Sequence, residues 1–413
     1  MPELRPFRGV RYNARRVPDL GAVLCPPYDV ISPAERAALA ARDPRSAIHL
    51  ELPASYASAA TLFAGWLADG TLARDERDLL YVYEQRYAMP DGEVRVARAF
   101  FCALRLEPFA PGSGVLPHEL TMSGPKEDRF QLLSAVRANL SPVLFLYDDG
   151  ADGAASDRSL AALTARPPAA DIDGPSGTHI RVWPVDPEAD PAAADLLRHA
   201  AARPVSIADG HHRYETALRF RDQPNSPRSA EWVLALMYDA HSGGLSLLPW
   251  HRVLSGEGTA TELLPRLGDF FDIDPRTSPE DVARDLRPGV MGYWARQGGG
   301  MLVARRQAVE PLLPADALEA VRWLDVSVLS ATLSRMLGRS LADLAHEGGL
   351  AYVSDAREAV SSVESGQAEI CFLVAGTPVD TVLHAAAAGD FMPAKSTYFH
   401  PKAATGVVFN MLD

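Results

Sequence analysis

The chain has 413 residues, 47% of them hydrophobic and 23% charged, a globular balance that excludes a disordered, collagen-like or coiled-coil chain and allows two or three packed units. The 40 Lys and Arg against 53 Asp and Glu leave a net charge of −13. No basic block offsets it, so neither a nucleic-acid nor a membrane partner is expected. The longest apolar run, Trp232 to Tyr238, is far below a membrane span, and the N-terminus lacks a basic-then-apolar signal pattern, so a soluble, cytoplasmic protein is expected. Cys25, Cys102 and Cys371 form no CxxC pair, which fits a reducing compartment and excludes a cysteine zinc site.

In chain order, Ser32-Pro33-Ala34-Glu35 has capping-box spacing with proline at the first helical position and opens a helix. Ile48, Leu50 and Leu52 alternate with His49 and Glu51, which predicts a half-buried strand. Ala57 to Asp69 reads as a helix stopped by Gly70. Leu80 to Tyr87 and Glu93 to Leu106 read as strands joined through the hairpin residues Pro90-Asp91-Gly92. A helix over Lys126 to Asn139 leads into an apolar strand, Pro142 to Tyr147. The small, Pro/Gly-rich stretch 148–177 reads as a loop or linker. A strand at His179 to Val185, a helix near Pro191 to Ala202 and a strand at Pro204 to Ala208 follow. Gly298-Gly299-Gly300 predicts a turn between two strands. The pattern is mixed α/β, divided into an N-terminal and central unit, 1–255, and a C-terminal unit, 256–413.

The sharpest local signal is Asp209-Gly210-His211-His212-Arg213-Tyr214-Glu215, between a short apolar strand and a helical stretch. The first amides of such a helix lack intrahelical partners and carry the positive end of its dipole, so an anion is favoured there. Gly210 permits close backbone approach. Arg213 can clamp a phosphate through two hydrogen bonds, His211 or His212 can add a third, and Asp209 can orient a histidine or hold Mg²⁺. The bland alternative is a helix start with two surface histidines and an aspartate cap. Five polar side chains clustered at one strand end favour a site.

Pro117-His118-Glu119-Leu120-Thr121 precedes Lys126-Glu127-Asp128-Arg129. Met122 stands where a zinc protease needs its second histidine, so the HExxH signature fails. His118 or Glu119 remains a candidate general base, and Lys126 and Arg129 candidate phosphate contacts, against a loop followed by a charged first helical turn. Near the C-terminus, Gly389 to Ser396 approaches a P-loop, but Ala394 replaces its second glycine and proline breaks the required helix. Lys395, Ser396 and Lys402 are candidate anion contacts on what otherwise reads as an exposed basic segment. Pro26-Pro27-Tyr28-Asp29 reads as a rigid turn, and Trp250-His251-Arg252 as a structural histidine beside an ion-paired arginine. No GxSxG motif or dinucleotide fingerprint is present.

Taken together, Pro26 to Ile31, Leu116 to Glu119 with Thr121, Gly124-Pro125-Lys126, Asp128-Arg129, Ser141-Pro142, Ala208 to Leu218, His251 to Val253, Met392-Pro393, Lys395 to Phe399 and Pro401-Lys402 resemble the bacterial and archaeal family called domain of unknown function 1015. That resemblance spans nearly the whole chain and supplies no activity. Asp209 to Arg213 is also similar to the nucleotide-phosphate motif of the free serine kinases of the ParB/sulfiredoxin-like fold. The similarity implies a phosphate-binding strand–helix element around 204–222, with a separate glutamate activating the substrate hydroxyl. The leading expectation is a phosphotransferase using ATP or ADP with Mg²⁺ near Asp209. In it, His212 joins Glu119 or His118 in the chemistry, and a small hydroxylated metabolite such as serine accepts the phosphoryl group. A metal-dependent phosphatase built on His118, Glu119, Asp209, His211 and His212 is one alternative; a non-catalytic nucleotide or phospho-metabolite sensor is another.

Overall fold

The computed structural model describes residues 1–119, 124–150 and 154–413, without the side chains of residues 124–126 and 154. The fold is mixed α/β. It divides into two compact units, one built from residues 1–117, 121–246 and 401–413 and the other from 118–120 and 247–400. The last thirteen residues thus return to the first unit, a connection that a linear cut at 255 does not contain.

Among the described residues, the first unit carries a nine-stranded sheet. Its strands are β1 (Leu4–Arg5), β2 (Leu80–Ala88), β3 (Val94–Arg105), β4 (Val115–Leu116), β5 (Val143–Tyr147), β6 (Ala170–Asp173), β7 (His179–Val185), β8 (Val205–Asp209) and β9 (Trp232–Asp239). They run in the order β4-β8-β5-β9-β3-β2-β7-β6, with β1 on β3. β9 lies parallel to β5 and antiparallel to β3, and all eight of its residues are buried, which accounts for its unbroken apolar run. β2 and β3 form the expected hairpin, Tyr81 facing Phe101.

The helices of this unit are α1 (Pro33–Arg42), α2 (Ile48–Glu51), α3 (Tyr56–Ala68), α4 (Gly124–Val136), α5 (Ala154–Thr164), α6 (Pro191–Ala200) and α7 (His211–Arg221). α1 begins with the predicted capping box, Ser32 and Glu35 each accepting the other's backbone amide. Leu160, Leu163, Leu196, Tyr214 and Ala217 of α5, α6 and α7 share one core with Phe100, Phe145 and Ile207 of the sheet. The stretch 148–177 is therefore not simply a loop: it contains α5 and β6, whose small residues disguise a helix with two buried leucines. The predicted strand at 48–52 is also corrected. It is the helix α2, and its apolar residues and Glu51 are all buried, so alternation in sequence did not correspond to two faces of a strand.

Among the described residues, the second unit has a six-stranded antiparallel sheet of β10 (His251–Leu254), β11 (Phe271–Arg276), β12 (Met291–Ala295), β13 (Gly298–Ala304), β14 (Leu350–Val353) and β15 (Ile370–Leu373), ordered β11-β13-β12-β15-β10-β14. Ile370 and Phe372 pack with Leu329 and Leu333 on one face, Cys371 and Leu373 with Val360 and Val363 on the other, the two-residue period of a strand covered on both sides. Gly298-Gly299-Gly300 opens β13 rather than forming the turn. A Cβ on Gly299 would fall 2.3 Å from the Trp294 ring, so bare backbone is needed there for packing. Among the described residues, no helix is long and apolar enough to cross a membrane.

Candidate functional site

In the first unit, residues far apart in sequence converge at the end of β8. The register of β8 against β5 shifts between Ile207 and Asp209, an irregularity of the kind that re-aims a side chain at a strand end. Gly210 follows with φ +99° and starts α7 without a side-chain cap. A Cβ there would lie 2.9 Å from Arg213 Nε, so glycine is required by the backbone conformation and by the arginine folded over it. Tyr214 anchors the helix: its hydroxyl donates to the Glu107 carbonyl and accepts the Glu107 amide, each at 2.9 Å.

Asp209 sits between two cations. Lys402 Nζ donates to Oδ1 at 2.7 Å and Arg213 Nη2 to Oδ2 at 2.7 Å. Arg213 Nη1 donates to the Pro142 carbonyl, and Asp29 Oδ2 lies 3.6 Å from Lys402. Burial alone would raise the Asp209 carboxyl, but Lys402 and Arg213 reverse that and hold it well below the usual carboxylate range. The same pairing keeps Lys402 protonated despite burial. The Pro26–Asp29 turn thus does more than stiffen the chain. It supplies Asp29, and it places the Tyr28 ring 4.3 Å from the Arg129 guanidinium, with burial pushing the Tyr28 hydroxyl up to about 12.

Arg129 itself is buried. It donates to the Glu51 carbonyl at 2.9 Å and to the Asp128 carboxylate, and it lies 3.8 Å from Glu51 Oε1. Glu51 is 1% exposed. Its Oε1 accepts the Ser141 hydroxyl at 3.0 Å. A cavity of about 50 Å³ is lined by Glu51, Arg129, Ser141, Arg213 and Thr216 among others. Sequence reading missed Glu51 because a buried carboxylate next to Leu50 looks the same as the polar side of a strand. His211 is buried at the first position of α7 and His212 is half-buried beside it.

This arrangement does not fit Asp209 as a magnesium ligand. Both of its oxygens are taken by cations at 2.7 Å, and a divalent ion placed there would meet them. Nor, among the described residues, does any group of three or more His, Cys, Asp or Glu side chains come together as a metal site.

The second unit gathers another set of the singled-out residues. His118 is fully buried, its Nε2 3.3 Å from Thr397 Oγ1 and its ring against Phe399. The Met392 amide donates to the His118 carbonyl, and the Lys395 amide donates to Glu119 Oε1 at 3.2 Å. Lys395 has φ +59°, and its ammonium lies 4.9 Å above the Trp250 ring. Ser396 is buried with its hydroxyl donating to the Pro393 carbonyl at 2.5 Å, turned inward rather than outward to an anion. The segment expected to be exposed is thus largely packed.

His251 is structural, as expected. Its Nδ1 accepts the Val374 amide at 3.3 Å, and burial, helped by Arg252, pushes its pKa down to about 4. Arg252 corrects its expected ion pair. It is fully buried, donates to the carbonyls of Trp250 and Lys395, and meets the Tyr352 ring, with no carboxylate partner among the described residues. Burial pushes it down to about 10. The side chain of Lys126 and the residue Thr121 lie outside the described residues.

Among solved structures, the chain is similar to a conserved hypothetical protein from Pyrococcus furiosus (12% identity, 69% of this chain and 87% of that one, TM-score 0.37). It is also similar to a free serine kinase in complex with AMP (12%, 69% and 83%, 0.38) and to SbnI with a C-terminal truncation from Staphylococcus aureus (11%, 71% and 82%, 0.36). Scores below 0.5 do not establish a shared fold. No curated protein matches the chain. The family model described as "Protein of unknown function (DUF1015)" matches residues 4–327, a span that holds the Pro26–Asp29 turn, both candidate bases, the Asp209–Arg213 strand end and the His251–Arg252 pair, and the chain belongs to that family.

Proposed function

We propose that this protein is a nucleotide-dependent phosphotransferase acting on a small hydroxylated metabolite, with ATP or ADP as donor and free serine as the candidate acceptor. The observation that carries this reading is the half-buried Arg213–Asp209–Lys402 cluster at the left-handed Gly210, at the start of an eleven-residue helix. Phosphoryl transfer asks chiefly for positioning and positive electrostatics. The first turn of α7 supplies the dipole end and amides suited to phosphate oxygens. Arg213 and Lys402 supply the charge, and Asp209 holds both cations at fixed positions. His211 and His212 stand on the same helical turn and are candidate phosphate contacts. Of the two bases suggested by sequence, His118 is fully buried against Phe399, which favours Glu119 of that pair for accepting the hydroxyl proton.

The test is phosphorus NMR on purified protein with Mg²⁺, ATP or ADP, and a pool containing serine and related hydroxy metabolites. A new phosphomonoester signal growing with nucleotide loss is expected. Inorganic phosphate released from a phospho-metabolite without nucleotide would replace this reading with a phosphatase. A second reading, a nucleotide or phospho-metabolite sensor, draws on the fact that Arg213 and Lys402 are already neutralised by Asp209 and Asp29. Tight binding without turnover would favour it.

A further inference from the structure

The sequence has 37 arginines and three lysines, Lys126, Lys395 and Lys402. In a chain with so strong a preference for the guanidinium, a lysine marks a position where the two cations are not interchangeable. At Lys395 the local structure gives no reason for lysine. Its φ of +59° suits glycine. Its ammonium lies 4.9 Å above the Trp250 ring, a contact that arginine makes more often and reinforces by stacking. Backbone conformation, ring contact and composition each favour another residue, and lysine is present against all three.

The surroundings hold this side chain in place without neutralising it. Arg252 donates to the carbonyls of both Trp250 and Lys395, the second at 3.3 Å, and so ties the ring to the lysine. Trp250 Nε1 donates to the Thr397 carbonyl at 3.1 Å, and Tyr398 meets the Trp250 ring edge-on at 4.7 Å. Glu119 accepts the Lys395 amide rather than its ammonium. That ammonium makes no ion pair among the described residues. Strained backbone held by surrounding bonds clusters at ligand clamps and active sites. A fixed, half-buried ammonium with its charge unspent is suited to meeting a ligand oxyanion as a point charge.

We propose that Lys395 is the binding cation for an oxyanion, the carboxylate or phosphate group of a small metabolite, which docks on the ammonium beside the Trp250 ring. A guanidinium at this position would lie flat on the indole and keep its donors in the plane of the stack, whereas an ammonium can turn a donor outward to the ligand. This role in the second unit does not depend on the reaction served by the Asp209 cluster of the first.

The scarcity of lysine makes the test direct. Reductive methylation of the 413-residue chain, read at each lysine by mass spectrometry, is run with inorganic phosphate, with lactate as a small carboxylate, and with chloride at equal ionic strength. Phosphate or lactate should protect Lys395 where chloride does not, and whichever protects identifies the group. Protection by neither, or equally by chloride, overturns the proposal. Protection confined to Lys402 overturns it too, and leaves the phosphotransferase reading standing. Lys395→Arg should weaken calorimetric binding of the protecting ion on the order of tenfold, the loss of one charge-assisted hydrogen bond. Wild-type affinity in that variant overturns the requirement for lysine. If the variant does not fold, the methylation pattern of the wild type decides.

Discussion

Lys402 donates its ammonium to Asp209 Oδ1 at 2.7 Å across a sequence separation of 193 residues, and Arg213 takes the other oxygen. Both side chains are half-buried, and removing one partner leaves the other charge without its hydrogen bond, a loss of about 1–3 kcal/mol. Lys402→Met should therefore destabilise the protein strongly in denaturant unfolding, and Lys402→Met with Asp209→Asn should recover part of the loss. Asp209 is held below its unfolded value and Lys402 above its own. Their contribution is fully present between about pH 4 and 10, falling as pH drops below the first bound or rises above the second.

Gly210→Ala tests the strand-to-helix junction. An L-residue at φ +99° is strained, and the added methyl would press on Arg213 Nε. A loss of about 1–3 kcal/mol in unfolding free energy is expected. Nucleotide affinity measured by calorimetry should fall on the order of tenfold, because the displaced guanidinium is the proposed phosphate contact.

Lys395 offers a test with an unusual sign. Its φ of +59° is comfortable only for glycine, and Glu119 and Arg252 hold its amide and carbonyl in that conformation. Lys395→Gly and Lys395→Ala lose the same contact with the Trp250 ring, but only glycine relieves the strain. The glycine variant should be the more stable of the two by about 1 kcal/mol, measured by thermal unfolding, whereas in a helix the order would be reversed.

The neutral His251 makes stability depend on pH in a predictable direction. Its folded-state pKa of about 4 lies below the ordinary 6.5, so the unfolded chain binds the extra proton between those values. Stability should be lost as pH falls through that window, by up to about 3 kcal/mol from this group. His251→Asn keeps an acceptor for the Val374 amide without titrating. Comparing unfolding of the two proteins at pH 7 and pH 4.5 should show a smaller loss for the variant.

Much of this could be read from the chain. The capping box at Ser32, the hairpin around Asp91 and the helix after Gly210 obey local rules that operate over a few residues, and each appears in the structure. The Asp209–Arg213 run was visible because polar residues and a glycine at a strand end have a local physical meaning. Glu51 was not visible. Its surroundings are supplied by Ser141, Arg129 and Arg213, none of them near it in sequence, and local alternation assigns it to water. Arg252 shows the same limit: an arginine suggests an ion pair, but only the packed second unit reveals that backbone carbonyls have taken the place of an acid.

The return of residues 401–413 to the first unit also bears on how the protein is made. Asn410 and Met411 pair with Asn139 and Ala138, Phe409 exchanges hydrogen bonds with Val10, and Lys402 completes the Asp209 cluster. Domains usually finish folding in the order in which they leave the ribosome. Here the first unit must wait for residues 401–413, which follow residues 247–400 of the other unit in the chain. Until residues 401–413 have emerged, the first unit still lacks its cation and its closing strand.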